Sequence, residues 1–282
     1  MRYKIIKKRS LNPSVSLMEI YEPLIAKKAE PGQFIVLRVD ENGERIPLTI
    51  ADFDREQGTV TIIFQIVGAT TKALDALEQG DCLHDFVGPL GVPSHTEGLK
   101  KVAVVGGGVG CAIAYPVAKK LHRNGAVVHT IIGFRSKDLV ILEREFSQVS
   151  DKLIIKTDDG SYGTKGLVTD ALKQLIESGE QYDEVIAIGP LVMMKFVARL
   201  TKEYAIKTVV SMNPVMIDGT GMCGGCRLTV GGEMKFACVD GPEFDGHLVD
   251  FDEAIERSTM YKGFEHRRNE DACRLIRAAD EK

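Results

Sequence analysis

The stretch KVAVVGGGVGCAIAYPVAKKLHRNG, residues 101–125, decides the fold class. A continuous apolar run ends in glycines and passes directly into CAIAYPVAKKLHRNG, a segment of helical length. Strand, tight turn and helix in that order are the opening unit of an open α/β sheet. The pattern then repeats: strand AVVHTIIGF, helix LVILEREF, strand KLIIKTDDG, helix GLVTDALKQLIESG, strand EVIAIGP, helix LVMMKFVARLTKEY and strand KTVVSM. This alternation predicts a parallel sheet with helices on both faces, a dinucleotide-binding domain over residues 99–212.

Upstream the rhythm differs. FIVLRVD (34–40), RIPLTIADF (45–53) and TVTIIFQIV (59–67) are short β-branched runs bounded by turn residues, and helical length appears once, in TTKALDALEQG (70–80). Residues 1–98 are therefore expected to form a small antiparallel β-barrel. The start, MRYKIIKKRSLNPSVS, is basic but lacks an apolar core and a small-residue cleavage site, so it reads as a first strand and not as a leader. Downstream, residues 213–250 are rich in glycine and hold three thiols, which predicts a small metal-organised unit. Residues 251–282 form a mixed-charge helical tail with no chemistry to assign.

Composition narrows the function. The chain has 282 residues, 44% hydrophobic and 27% charged, with a net charge of −4 and no long basic run. Nucleic-acid binding has no support from that charge, and no apolar stretch reaches the roughly 20 residues of a membrane span. A cytoplasmic location is expected. Three of the six cysteines are scattered (Cys82, Cys111, Cys273), as small apolar residues are. The other three are grouped, which in a cytoplasmic protein points to a metal and not to disulfides.

Several stretches carry chemistry. Gly106, Gly107, Gly108 and Gly110 follow a strand and precede a helix, where glycines let the backbone approach a pyrophosphate and the helix N-terminus favours an anion. Tight packing alone is the other reading of such a turn. Gly189, Pro190 and Met193 end another strand at the same carboxyl edge, with Met193 and Met194 otherwise explained as core. Asp158 and Asp159, in TDDGSYGTKG, offer a carboxylate to a ribose hydroxyl and would repel a 2′-phosphate, favouring NAD(H); an Asp-Asp-Gly turn is the plain alternative. Arg45, Pro47, Leu48 and Thr49 put a cation, a fixed φ and a hydroxyl together, suited to a pyrophosphate and a flavin ring nitrogen or to a simple strand start.

The grouped thiols lie in MIDGTGMCGGCRLTVGGEMKFAC, residues 216–238. Asp218, Cys223, Cys226 and Cys238 reproduce the plant-type [2Fe–2S] spacing C-x4-C-x2-C…C with aspartate in the first place. Three thiolates and a carboxylate also suit four-coordinate zinc, although zinc sites more often show paired CxxC motifs. In the cluster reading one iron carries Asp218 and a thiolate, and the harder oxygen donor alters the potential.

With these residues in view the chain resembles the ferredoxin–NADP+ reductase superfamily. Within it, the chain is similar to electron-transfer subunits that carry FAD and a C-terminal [2Fe–2S] cluster. These are the small subunits of NADH-dependent reduced ferredoxin:NADP+ oxidoreductases (also known as sulfide dehydrogenases) and the electron-transfer subunits of dihydroorotate dehydrogenases. The resemblance covers all but the final thirty or so residues. It implies FAD contacts at Arg45, Pro47, Leu48 and Thr49, with Thr49 beside the flavin ring, and at Gln65, Ile66, Val67, Gly68 and Thr71. It matches Gly88–Gly91 to the motif closing the barrel, GGGVG and Tyr115-Pro116 to the nucleotide turn and helix, and Asp158–Gly163 and Gly189, Pro190 and Met193 to the nicotinamide-nucleotide site. Three positions depart from the family pattern. Thr70 replaces a glycine, Ile113 a proline, and Ile188 a cysteine that hydride transfer does not need. An aspartate at 218 fits the oxidoreductase small subunits, since dihydroorotate dehydrogenase partners normally have four cysteines. The resemblance further implies a larger partner flavoprotein with its own FAD, an NADP(H) site and [4Fe–4S] clusters. Exchange with ferredoxin through that complex, and electron bifurcation from NADPH to NAD+ and ferredoxin, are also implied.

Overall fold

A computed structural model describes residues 3–260 and 263. A short helix covers the first residues of the tail expected over 251–282, and the remainder of that expectation, with Cys273, lies outside the described residues.

The N-terminal part runs β1 (Lys4–Asn12), β2 (Val15–Tyr21), α1 (Pro23–Lys28), β3 (Phe34–Arg38), β4 (Ile46–Asp54), β5 (Thr59–Gln65), α2 (Ala69–Ala76) and β6 (Asp85–Leu90). Its strands form one antiparallel six-stranded sheet in the order β1-β2-β5-β4-β3-β6. The sheet curls until its ends approach: Ile5 donates to the Asp81 carbonyl at 2.8 Å, and its own carbonyl accepts from Gly80 at 2.8 Å, just before β6. Alternate residues of these strands (Met18, Ile20, Ile35, Leu37, Ile50, Ile62, Phe64) fill the interior, as a period of two requires.

The second part runs β7 (Lys101–Gly107), α3 (Gly110–Arg123), β8 (Val127–Phe134), α4 (Glu143–Ser147), β9 (Lys152–Thr157), β10 (Thr164–Lys165), α5 (Val168–Glu177), β11 (Glu184–Ile188), α6 (Leu191–Glu203) and β12 (Thr208–Ser211). The sheet order is β10-β9-β8-β7-β11-β12 followed by a last strand, Glu243–Asp245 (β15), from the C-terminal part, and all pairings but that last one are parallel. One helix differs from expectation. LVILEREF is helical only from Glu143, because Leu142 adopts a left-handed backbone (φ 57°) that sends Ile141 and Leu142 into the core. The strands β7 and β11 are buried on both faces, α3 and α4 covering one and α5 and α6 the other.

The C-terminal part holds the hairpin β13 (Arg227–Val230) and β14 (Glu233–Phe236), the edge strand β15 (Glu243–Asp245) and α7 (Phe251–Arg257). Strand β15 pairs antiparallel with β12, so the cysteine-bearing segment completes the nucleotide sheet. Cys226, Leu228, Ala237 and Cys238 share one core with Phe34 and Val36 of the first sheet, Val210 of the second and Val197 of α6.

Candidate functional site

A cleft of about 980 Å³ lies where the antiparallel sheet meets the carboxyl edge of the parallel one. Such an edge is where ligands bind in open α/β sheets, because strand ends and helix N-termini converge there. From the first sheet Pro47, Leu48, Thr49, Gln65 and Phe34 line it; Phe34 lies opposite Thr49 in the β3–β4 register. From the second come Gly107, Gly108, Gly110, Asp158, Gly189, Pro190 and Met193, and Met212 and Met216 extend the lining toward the thiols.

The glycines divide by task. A Cβ on Gly110 would lie 2.6 Å from the Ile188 carbonyl oxygen, and one on Gly107 would collide with Sδ of Met193. These two, with Gly189, whose Cβ would meet Met193 Cε at 2.8 Å, let the two βα turns pack against each other. Gly108 instead has φ +56° and open space where a Cβ would stand, so its backbone faces the cleft unobstructed. Gly106 packs on Cys111 and does not line the cleft. Met194 is fully buried while Met193 reaches the cleft, which separates the two methionines.

The aspartates separate in the same way. Asp159 accepts from Ser161 through Oγ at 2.6 Å and backbone N at 2.9 Å, contacts that hold its carboxyl below the usual range. It closes its own turn. Asp158 lines the cleft. Arg45, Ile66, Val67, Gly68 and Thr71 lie outside the lining. Thr71 is engaged locally, accepting from the amides of Val67 (3.0 Å) and Gly68 (2.9 Å) at the start of α2. The contact of Thr70 with Glu44 at 2.9 Å ties that helix start to the loop carrying Arg45, so these residues share a rim. Sequence reasoning missed Asn12, Ser14, Arg135 and Phe196, all lining residues. Only Arg135 carried a signal, its place directly after β8.

The metal candidates arrive as two pairs. Cys226 and Cys238, both buried, bring their sulfurs to 3.2 Å. Asp218 accepts the Cys223 amide at 2.8 Å and the Thr220 amide at 2.8 Å, and the Thr220 contact leads in holding its carboxyl below the usual range. Burial and then the neighbouring Cys226 thiol push Cys238 up to about 12, and a bound cation would favour its thiolate instead. Among the described residues no three cysteine, histidine or acidic side chains converge as a single-ion site. Three thiolates and a carboxylate at this spacing suit a two-iron centre, in which each iron takes two protein donors.

An antiparallel flavin-type sheet, a nucleotide sheet and a cysteine loop on one core define a reductase of the ferredoxin-reductase type with an added iron–sulfur module. Comparison with known proteins makes this specific. The family described as the iron-sulfur cluster binding domain of dihydroorotate dehydrogenase B matches residues 213–250. A Thermotoga maritima homolog of the dihydroorotate dehydrogenase B (NAD(+)) electron transfer subunit is 48% identical over 92% of this chain and 91% of its own. The Streptococcus pneumoniae electron transfer subunit is 33% identical over 86% and 94%. A chain from the solved structure of the NADH-dependent reduced ferredoxin-NADP oxidoreductase, described for flavin-based electron bifurcation, superposes with a TM-score of 0.89. It is 45% identical over 95% of this chain and 98% of that one. An Amycolatopsis cytochrome P450 reductase (TM-score 0.60, 21% identity, covering 72% and 65%) shares the fold. The chain belongs to the family of dihydroorotate dehydrogenase B electron transfer subunits.

Proposed function

We propose that this chain is the electron-transfer flavoprotein subunit of an NADH-dependent reduced ferredoxin:NADP+ oxidoreductase. It passes electrons between NAD(H), FAD and a [2Fe–2S] cluster to a larger subunit. The observation that carries this is continuity: Met216 lines the cleft, and Asp218, two residues on, begins the paired donor set.

FAD bound in the cleft would convert the two electrons of a hydride into single-electron transfers. The chain's own residues position the reactants. The Thr49 hydroxyl would hydrogen-bond the flavin ring, with Pro47 and Leu48 beside it and Gln65 on the neighbouring strand. Arg45, Ile66, Val67, Gly68 and Thr71 form the rim for the FAD diphosphate. The Gly108 backbone and the start of α3 take the nucleotide pyrophosphate, Asp158 the ribose hydroxyls, and Gly189, Pro190 and Met193 the nicotinamide side. Asp218 with Cys223 and Cys226 with Cys238 hold the cluster. Among the described residues no helix is long and apolar enough to cross a membrane.

The partner in this reading is a larger flavoprotein carrying its own FAD, an NADP(H) site and [4Fe–4S] clusters, with ferredoxin served through the complex. A second reading rests on the relatives named above as dihydroorotate dehydrogenase electron transfer subunits, for which the partner would be the dehydrogenase itself. The deciding experiment is co-purification from the native host, followed by flavin, iron and sulfide analysis and NADH titration of the visible spectrum. A co-purifying [4Fe–4S] flavoprotein and bleaching of flavin and cluster by NADH are expected. A dihydroorotate-oxidising partner would favour the second reading, and a spectrum unchanged by NADH would refute both.

A further inference from the structure

We infer that Arg227 and Arg257 are positioning residues of the cysteine loop. Each holds a peptide of the Cys223–Cys226 loop by its carbonyl, so that the amide of that peptide faces the cluster sulfurs, and together they raise the cluster's reduction potential. The inference rests on the [2Fe–2S] reading above and assigns a role to the C-terminal helix, for which the sequence offered none.

The geometry is that of two consecutive peptides gripped from outside. Arg227 donates through Nη1 to the Gly224 carbonyl at 3.3 Å. The N–H of that same peptide, belonging to Gly225, lies 3.4 Å from Cys223 Sγ. Arg257 donates through Nη2 to the Gly225 carbonyl at 3.3 Å, and the N–H of that peptide belongs to Cys226. A trans peptide is planar with its C=O and N–H pointing in opposite directions, so drawing the oxygen outward aims the hydrogen inward. Gly224 has φ +66°, a backbone conformation that keeps this turn a glycine position.

Arg257 is held firmly enough for the task. Helix α7 is capped by Asp250, which accepts the Glu253 amide at 3.0 Å. Glu253 accepts the Thr229 amide at 3.0 Å, and Asp250 donates to the Thr229 carbonyl at 2.9 Å. Asp252 pairs with Lys195 of α6, and Phe251 is buried in the core that contains Cys226 and Cys238. Among the described residues neither guanidinium has a carboxylate within 4.0 Å.

Sulfur gains negative charge when a cluster is reduced, so amide donors and nearby cations stabilise the reduced form and raise the potential. A guanidinium on the carbonyl polarises the amide and strengthens its N–H···S contact. Arg257 is half-buried and Arg227 exposed, so solvent screens Arg227 more and Arg257 exerts the larger effect.

The test uses the full-length, cluster-loaded protein and its Arg257→Met, Arg257→Lys and Arg227→Met variants. Iron and sulfide are assayed, potentials are read by EPR-monitored titration, and the loop peptide nitrogens are read by pulsed EPR. Arg257→Met should keep its iron and shift the reduction equilibrium toward the oxidised form roughly tenfold, about 59 mV for one electron. Arg257→Lys should restore most of the shift, and Arg227→Met should show a smaller one of the same sign. If Arg257→Met sheds iron, the Arg257→Lys and Arg227→Met proteins decide by the same measurements. Unchanged potentials and nitrogen couplings in iron-retaining variants overturn the proposal. A wild-type protein without iron and sulfide overturns the cluster assignment itself, and the proposal with it.

Discussion

Lys119 Nζ of α3 sits 2.9 and 2.7 Å from the two carboxylate oxygens of Asp52 on β4, tying the nucleotide-binding part to the flavin-type sheet. Arg9 with Glu145, and the Asn12 side-chain amide on the Leu139 carbonyl, add ties between the same two parts. Both partners of the Lys119 pair are about one-third exposed, so solvent screens it and its contribution is roughly 0–1 kcal/mol. Asp52→Asn should therefore cost less than about 1 kcal/mol in urea denaturation. A loss of several kcal/mol would refute this assignment as a screened tie.

Thr49→Val removes the hydroxyl of a cleft-lining residue while keeping the strand-compatible shape. FAD should remain bound and its reduction by NADH should slow, by an amount equivalent to about 1–3 kcal/mol in the barrier. Stopped-flow flavin reduction checks this, and unchanged kinetics would remove Thr49 from the site.

NADH should reduce the flavin in preference to NADPH by at least about tenfold, roughly 1.4 kcal/mol. Because Asp158 lines the cleft and Asp159 is spent on Ser161, Asp158→Ser should erode that preference. Asp159→Ser should instead loosen the turn and leave the preference in place. Equal effects of the two substitutions would contradict the division of roles.

Asp218→Cys should retain the cluster, since thiolate is the ordinary donor at this place, and Asp218→Ala should lose or destabilise it. Two thiolates carry more negative charge to the iron than a thiolate and a carboxylate oxygen, so the wild-type potential should exceed that of Asp218→Cys. An Asp218→Ala protein with the wild-type EPR spectrum and potential would show that Asp218 is not a ligand.

Burial pushes the Glu243 carboxyl up to about 7, only partly opposed by the Ser94 hydroxyl that donates to it at 2.6 Å. The folded state therefore binds this proton more tightly than the unfolded chain, whose ordinary value is 4.5. Stability should fall as pH rises from about 4.5 to about 7 and then level off. Glu243→Gln should flatten this slope and be the more stable protein at pH 8, as urea denaturation across that range would reveal.

Much of this was legible in the sequence because periodicity and glycine placement report local structure. The strand–glycine–helix unit at residues 101–125 and the cysteine spacing each encode geometry over a few residues. What escaped depends on contacts distant in sequence. Nothing local separates Asp158 from Asp159 until Ser161 folds back on one of them. Arg257 meets the Gly225 carbonyl across thirty-two positions of chain. Strand β15 has only three residues, too few to display an alternation. Asn12 and Ser14 reach the cleft from the β1–β2 turn, where the same residue types ordinarily do no more than shape the turn.

The pairing of β15 with β12 makes the iron-binding segment a guard on an exposed sheet margin. A parallel sheet ending at β12 would present a row of unpaired backbone donors and acceptors, the kind of margin that recruits other chains into aggregates. Met212 donates to the Pro242 carbonyl at 2.8 Å and Gly246 to the Thr208 carbonyl at 2.8 Å, sealing both ends of that margin. The same segment that carries the three thiols thus also closes the sheet edge, so one stretch of chain serves both the cysteine loop and the protection of the parallel sheet from edge-to-edge association.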